Sequence, residues 1–135
     1  MKIIATLLCA ALALASTAAP AQAWPNKTVR LIISTGGGTS PDRIGRIVAD
    51  RLSRDLGQSI VVDNITGGGG IIATRTAARA AADGYTLFFA GVSALVTDLF
   101  TVKDPGYDAD RDFEPVAMIY EEGSLGIAVH PSVPA

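Results

Sequence analysis

The chain has 135 residues, a length that suits one domain of ordinary size. Apolar residue types make up 49% and charged types 18%, which excludes a disordered chain. The formal net charge of -2 leaves no basic surface for nucleic acid. The single cysteine, Cys9, excludes an internal disulfide and an all-thiolate zinc site.

Residues 1–23 have the composition of a cleavable secretory signal. Lys2 precedes an uninterrupted small and apolar run from Ile3 to Ala15, and Ala21-Gln22-Ala23 forms an A-x-A cleavage signal. A membrane anchor is the alternative interpretation, but the apolar run is shorter than the roughly 20 residues that span a bilayer. We therefore expect cleavage before Trp24 and a mature chain in the periplasm.

Strand–glycine–helix units follow one another in the mature part. Apolar, β-branched runs predict strands over 28–33, 60–62 and 85–90. Helices are predicted over 41–56, 71–81 and 93–100, with Ser40 as the first N-cap, Pro41 as the first helical residue and Gly57 as the first stop. This alternation is typical of an α/β fold, in which helices flank a mostly parallel sheet.

Beyond residue 100 the pattern changes. Residues 104–108 have the composition of a turn, and two further strands are predicted over 114–120 and 125–129. The last five residues, 131–135, resemble a linker.

Glycine-rich loops follow the first two strands, at 36–40 and 67–71. Ligands of open α/β sheets bind beyond the carboxyl ends of the strands, where helix N-termini present free N–H groups. These two loops, with hydroxyls from Thr39, Ser40 and Ser93, predict an anion cradle. The glycines could instead serve only to make tight turns between strand and helix.

Three better-known motifs fail on spacing. A dinucleotide fingerprint would need glycine where Pro41 stands, although Asp63 ends the second strand where a ribose-binding acid would lie. No lysine follows either glycine run, as a phosphate-binding P-loop would require. The segment 91–95 around Ser93 lacks the second glycine of a hydrolase elbow.

Catalytic and metal-binding residues are not evident. His130 is the only histidine, and we expect it in an exposed loop near the end of the chain. Three alternating acids, Asp108, Asp110 and Asp112, lack the glycine and distal glutamate of a calcium loop, so they predict a solvated turn. Asp42 is interpreted as a first-turn helix acid, and Arg46 as a solvating surface residue. We expect no catalytic residue, no metal and no cofactor.

The order of several short motifs resembles the N-terminal part of the Bug-type solute receptors, the periplasmic components of tripartite tricarboxylate transporters. The resemblance covers essentially all of 24–135. It rests on Trp24-Pro25, Val29 to Ile32, Asp42 with Arg46, Leu56-Gly57-Gln58, Val61 to Asn64, Gly67 with Gly69-Gly70, Asp83 to Leu87, Tyr107-Asp108, Asp112-Phe113, Pro115-Val116 and His130 to Pro134.

The resemblance implies a two-lobed, Venus-flytrap protein of the type II periplasmic-binding class. A small carboxylate solute would lie between the lobes, and the loaded receptor would dock on a large and a small membrane subunit. We expect a monomer that binds no nucleic acid. Carried over by position, the ligand-binding residues are Gly38, Thr39, Ser40, Gly69, Gly70, Ile71 and Ser93.

This chain departs from the family in two ways. Ile71 and Ala73 stand where the second loop usually has an asparagine and a glycine, so one possible donor is lost. Family receptors also continue into a second lobe, so we expect 24–135 to be an incomplete first lobe of a truncated receptor.

Two functions remain at this point. The first is a receptor that captures a carboxylate for transport. The alternative is a small secreted α/β enzyme whose glycine-rich loops hold an oxyanion or a phosphate. A third possibility is a residual fragment with no activity.

Overall fold

The computed structural model describes residues 24–121. The predicted leader at 1–23, the predicted strand at 125–129 and His130 lie outside the described residues.

Three strands alternate with helices, as the sequence predicts. The strands are β1 (Val29–Ile33), β2 (Ile60–Asn64) and β3 (Thr86–Phe89). The helices are α1 (Ser40–Leu56), α2 (Ile71–Ala78), α3 (Asp98–Thr101) and α4 (Ala109–Asp112), with a 3-10 turn at Gly68–Gly70 and a π turn at Ser93–Thr97.

The strands form one parallel sheet in the order β2-β1-β3. Val29 of the central strand pairs with Ile60 on one side, and Ile33 pairs with Asn64. On the other side Ile33 pairs with Phe89. The carboxyl ends of all three strands therefore lie at the same edge of the sheet.

Helices cover both faces of this sheet. Leu31 and Ile33 of β1 form one core cluster with Ala49 of α1 and with Phe89 of β3. Because side chains alternate along a strand, Ile32 faces the opposite side, where α2 contacts β1 and β3, and it is fully buried. Burial on both faces explains why β1 is a continuous apolar run except at Arg30.

Helix α1 begins one residue away from the prediction. Thr39, rather than Ser40, has the extended backbone of the N-cap, and Ser40 is the first helical residue. Pro41 can follow at once because it has no N–H to leave unpaired. At the other end Gly57 adopts a left-handed conformation with φ 67°, which confirms the predicted stop.

The prediction of a strand over 114–120 is wrong, because these residues join no strand within the described part of the chain. The ring of Phe113 packs on Phe88 and the ring of Tyr120 stacks on Phe89. Phe88 and Phe89 point to opposite faces of the sheet, so the segment between the two contacts crosses the edge at β3 instead of running along it. Val116 and Met118 are consequently exposed.

The segment after β3 is also less regular than the predicted helix over 93–100. A π turn over Ser93–Thr97 leads into α3, and the exposed apolar side chains along it include Val92, Val96 and Phe100. The hydroxyl of Tyr107 donates to the carbonyl of Ala94 and holds this segment against the loop before α4. No helix within residues 24–121 is both long and apolar enough to cross a membrane.

Candidate functional site

The candidate site lies at the carboxyl edge of the sheet, where three loops leave adjacent strands. The first loop (34–39) follows β1, the second (65–70) follows β2, and the third (90–92) follows β3. Because β1 is central, the first loop lies between the other two. This is the position at which parallel α/β sheets bind ligands.

Thr39 and its neighbours shape the first loop through short-range hydrogen bonds. The Thr39 hydroxyl donates to the carbonyl of Gly36 at 2.8 Å and lies 2.9 Å from the hydroxyl of Thr35. Gly38 has φ 85°, a left-handed conformation that glycine adopts without strain. Ser40, at the start of α1, is exposed at this edge.

A carboxylate that the sequence assigns to simple helix capping proves to be the centre of this loop. Asp42 is only 2% exposed. Its Oδ2 accepts hydrogen bonds from the backbone N–H of Gly38 at 2.7 Å and from Nε of Arg46 at 3.1 Å. Its Oδ1 accepts from Nδ2 of Asn64 at 2.9 Å and lies 3.0 Å from Nη2 of Arg46.

Asn64, the last residue of β2, completes a closed polar network. Its Nδ2 also donates to the carbonyl of Thr35 at 2.9 Å, and its Oδ1 accepts from Nη2 of Arg46 at 2.9 Å. The side chains of Asp42, Arg46 and Asn64 thus join the first loop to the strand from which the second loop leaves. We call these three side chains the Asp42 network.

These contacts hold Asp42 in its charged form. The hydrogen bond from Arg46 lowers the pKa of the Asp42 carboxyl most, followed by those from Gly38 and Asn64, and together they bring it to about 2. Burial acts in the opposite direction but is outweighed. At neutral pH the network therefore contains a carboxylate with its charge fully paired.

Glycines fill the second half of the second loop, where the backbone has positive φ at every residue. Gly67, Gly68, Gly69 and Gly70 all have positive φ, between 58° and 119°. Gly69 is exposed and opens onto free space, whereas Gly70 is buried. The N–H of Gly70 donates to the carbonyl of Gly67, and the N–H of Ile71 to that of Gly68.

Two close approaches bring the first and second loops together. A Cβ atom placed on Gly70 would lie 3.4 Å from the Cβ of Ser34, and one on Gly36 would lie 4.0 Å from the Cγ2 of Thr66. Of the predicted residues, Gly70 therefore lies directly against the start of the first loop. Ser93 is exposed at the start of the π turn after β3, on the far side of β1 from the second loop.

The geometry changes the expected use of several predicted donors. The N–H of Gly38 points to the carboxylate of Asp42 and is already bonded. The Thr39 hydroxyl and the N–H groups of Gly70 and Ile71 are likewise bonded within their own loops. The remaining candidates at the edge are the hydroxyls of Ser40 and Ser93 and the open backbone at Gly69.

Two alternative sites lose support. Asp63, the candidate ribose-binding acid, accepts hydrogen bonds from the guanidinium of Arg30, including one from Nε at 2.9 Å. Asp108 caps α4, accepting from the N–H groups of Asp110 and Arg111, so the acidic turn is a helix cap. Within residues 24–121 no group of three or more His, Cys, Asp or Glu side chains could hold a metal ion.

Sequence reasoning missed the function of Arg46 and Asn64 in this site. The prediction that Arg46 only solvates the helix surface is wrong, since it bonds both Asp42 and Asn64. The usable signal was the spacing of Asp42 and Arg46, which are four residues apart on one helical face, together with an amide at the end of the next strand.

Comparison with known families agrees with this architecture. Residues 44–135 match the family described as "Tripartite tricarboxylate transporter family receptor". The chain is 47% identical over 108 residues to a UPF0065 protein of Bordetella bronchiseptica, covering 80% of this chain and 32% of that protein. It is 38% identical over 111 residues to the protein BugT of Bordetella pertussis, which covers 80% of this chain and 34% of BugT. The chain thus spans about a third of the length of the curated relatives it matches.

Solved structures similar to this chain include a periplasmic binding protein. The chain is similar to MatC (Rpa3494) from Rhodopseudomonas palustris with bound malate, with a TM-score of 0.68 and 30% identity over 71% of this chain and 33% of that one. It is similar to the periplasmic binding protein BugD, with a TM-score of 0.65 and 33% identity. That match covers 68% of this chain and 30% of BugD. It is also similar to R. palustris Rpa4515 with adipate, with a TM-score of 0.62 and 36% identity over 64% and 29%. These likenesses confirm the predicted fold class.

Proposed function

Because the chain belongs to the tripartite tricarboxylate transporter receptor family, we propose that it binds a small carboxylate-bearing solute in the periplasm for a secondary transporter of that type. The observation that carries this proposal is the convergence of three loops at the carboxyl edge of the parallel sheet. Two similar structures, MatC and Rpa4515, are described with malate and adipate, which are both dicarboxylates.

The chemistry of the loops suits a carboxylate. Carboxylate oxygens accept hydrogen bonds from hydroxyl and backbone N–H donors, and helix N-termini add a partial positive charge. Helices α1 and α2 both begin at this edge, immediately after Thr39 and Gly70. The proposed ligand-binding residues are Gly38, Thr39, Ser40, Gly69, Gly70, Ile71 and Ser93. Gly38, Thr39, Gly70 and Ile71 act through the shape of their loops, since their donors are bonded there.

The wider proposal concerns processing and partners. Residues 1–23 form a cleavable signal, and residues from Trp24 onward form the first lobe of the solute-binding domain. The loaded receptor is a monomer that docks on a large and a small membrane subunit. Edman sequencing of the protein recovered from the periplasm tests the first part: Trp24 at the N-terminus supports it, and an intact Met1 contradicts it.

Calorimetric titration of the full chain tests ligand binding. Malate and adipate serve as probes, and the neutral diamide of malic acid serves as the control because it has a similar shape without the charge. We expect saturable heat with at least one of the acids and none with the diamide. Absence of saturable heat with both acids contradicts the proposal for this chain.

A pair of serine variants locates the site. Ser93→Ala removes an exposed hydroxyl at the carboxyl edge, and we expect it to weaken binding by about 1 kcal/mol, the net value of one hydrogen bond. Ser59→Ala is the matched control, since Ser59 is exposed at the opposite edge, just before β2. Equal affinities of the two variants would place the ligand elsewhere.

The enzyme alternative has its own outcome in the same experiment. A secreted α/β enzyme that uses these loops as an oxyanion or phosphate cradle would convert its ligand. Chromatography of the solution recovered from the calorimeter therefore accompanies the titration. Unchanged malate and adipate support the receptor, and a new product supports the enzyme.

A further inference from the structure

We propose that the Asp42 network is a positioning device, which fixes the first loop against the second so that both present their donors to one ligand. This inference rests on the proposed function, since it assigns the network a part in solute binding. It concerns three residues that are not among the proposed ligand-binding residues.

The contacts of the network reach both ends of the first loop. The Asn64 amide donates a hydrogen bond to the carbonyl of Thr35 at the start of the loop. The Asp42 carboxylate accepts one from the N–H of Gly38 near its end. Both contacts originate outside the loop, from the end of β2 and from the first turn of α1. The loop is therefore tied at two points to the elements on either side of it.

Packing alone would not fix this loop. A Cβ atom on Gly37 or Gly38 would meet nothing within 4 Å, and one on Gly36 would only touch the Cγ2 of Thr66 at 4.0 Å. Glycine-rich segments are the most flexible in the unfolded chain and lose the most entropy when they are ordered. Polar contacts to the backbone must hold the loop where side-chain packing does not.

Other ion pairs on α1 show that the spacing alone does not give this function. Asp50 and Arg54 are also four residues apart, at 2.6 Å, but their side chains are 67% and 68% exposed. The Asp42 side chain is only 4% exposed, and Arg46 extends from it to Asn64. A buried charge that is fully hydrogen-bonded holds its neighbours in one arrangement, whereas an exposed pair contributes little.

The test compares variants of the full chain in calorimetric titrations with malate and adipate, alongside thermal melts and amide hydrogen exchange. Asp42→Asn removes the charge that Arg46 requires, and Asn64→Ala breaks the link between the loops while leaving Asp42 paired with Arg46. Asp50→Asn is the matched control. We expect both network variants to weaken binding at least about tenfold, at temperatures well below their melting transitions, while Asp50→Asn binds like the unmodified chain.

The readouts separate positioning from plain stabilisation. Arg46→Lys keeps the positive charge but not the two-pronged contact with Asp42 and Asn64, so we expect it to restore only part of the affinity lost in Arg46→Ala. A lowered melting temperature with unchanged affinity in Asn64→Ala would overturn the inference. If Asp42→Asn fails to fold, the affinity of Asn64→Ala for the two acids decides whether the inference holds.

Failure of the proposed function is a separate outcome. If the unmodified chain binds neither acid, that proposal fails, and amide exchange in the ligand-free protein then decides the inference. Faster exchange at Gly38 and Gly70 in Asn64→Ala, but not in Asp50→Asn, would still support a device that fixes the two loops. Unchanged exchange at both glycines would overturn it.

Discussion

Helix α1 touches strand β1 at Gly45, where an added Cβ atom would collide with the Cδ1 of Ile33 and lie 3.6 Å from its Cγ1. Ile33 is fully buried, so its side chain has no free space into which to move. Glycine inside a helix is normally unfavourable, and here it allows the helix to approach the sheet.

Gly45→Ala should therefore destabilise the protein. Overpacking costs about 1–3 kcal/mol, which exceeds the roughly 1 kcal/mol that alanine gains over glycine in a helix. We expect the free energy of unfolding in urea to fall by about 1 kcal/mol. Gly37→Ala is the control, since its added Cβ would meet nothing and its effect should stay within about 0.5 kcal/mol. A stabilised Gly45→Ala would contradict the close contact.

Acid should weaken the Asp42 network in a defined range of pH. The pKa of Asp42 is lowered to about 2 in the folded protein, from 3.8, so the folded state favours the charged form. The stability that Asp42 contributes is fully present above pH 4 and is lost as the pH falls toward 2. In urea unfolding at stepped pH, the difference between the unmodified chain and Asp42→Asn should shrink between pH 4 and pH 2.

The comparison with Asp42→Asn is needed because other carboxyl groups titrate in the same range. The pKa values of Asp83 and Asp112 are also lowered, chiefly by hydrogen bonds from the N–H of Tyr85 and the side chain of Arg111, respectively. The contributions of Asp83 and Asp112 to stability are the same in the unmodified chain and in Asp42→Asn, so they cancel in the difference between the two. A constant difference down to pH 2 would mean that Asp42 is not selectively charged in the fold.

Gly106 gives Arg75 access to two backbone carbonyls. The Arg75 guanidinium donates to the carbonyls of Pro105 and Asp104, the second at 2.7 Å, and so ties the loop before α4 to α2. A Cβ on Gly106 would lie 2.6 Å from Nε of Arg75. Gly106 also has φ 72°, which is strained for any other residue.

Gly106→Ala and Gly57→Ala separate the backbone strain from the lost contact. Gly57 has a similar φ, 67°, but an added Cβ there would meet nothing within 4 Å. Both variants should lose about 1–2 kcal/mol through left-handed strain. Gly106→Ala should lose about 1–2 kcal/mol more, because the arginine contacts also break. Equal melting temperatures of the two variants would show that the Arg75 contacts do not contribute.

The chain's single tryptophan, Trp24, can report on the packing of the segment before β1. Trp24 lies against Tyr85 with a ring-centroid distance of 6.2 Å, and the Tyr85 hydroxyl accepts from the N–H of Asn26 and donates to its Oδ1. Tyr85→Phe should lower the free energy of unfolding by about 1 kcal/mol and increase acrylamide quenching of Trp24 fluorescence. Tyr120→Phe is the control, because Tyr120 contributes a ring stacked on Phe89. Unchanged quenching in Tyr85→Phe would show that the Tyr85 hydroxyl does not help to hold Trp24 in place.

Elements with a strong periodic pattern could be predicted from the sequence. The apolar runs of β1, β2 and β3, the glycines that follow them and the Gly57 stop reappear with bounds shifted by one or two residues. The strand prediction over 114–120 was wrong because an apolar run does not reveal whether a neighbouring strand is in position to pair. In the folded chain the ring of Tyr120 stacks on the ring of Phe89 in β3.

The site was predictable only in part. The loops could be located because a glycine run directly after a strand is a local pattern, visible in a short stretch of sequence. The Asp42 network was not located, because its bonds join residues from α1, the first loop and β2. Three acid–arginine pairs on α1 have the same spacing, at Asp42, Asp50 and Asp55, and only the orientation of the helix on the sheet selects the buried one.

The central position of β1 has a consequence for the order of folding. β1 is the first of the three strands to be synthesised, yet its partners, Ile60 on one side and Thr86 on the other, come much later in the chain. No local hairpin can shield it in the meantime, and each pairing requires the closure of a long loop. Helix α1 follows β1 directly and can cover one of its faces, but the sheet is complete only when the chain has been made through Phe89. The native sheet is therefore completed by pairing between residues far apart in the sequence, which is slower than the closing of a local hairpin.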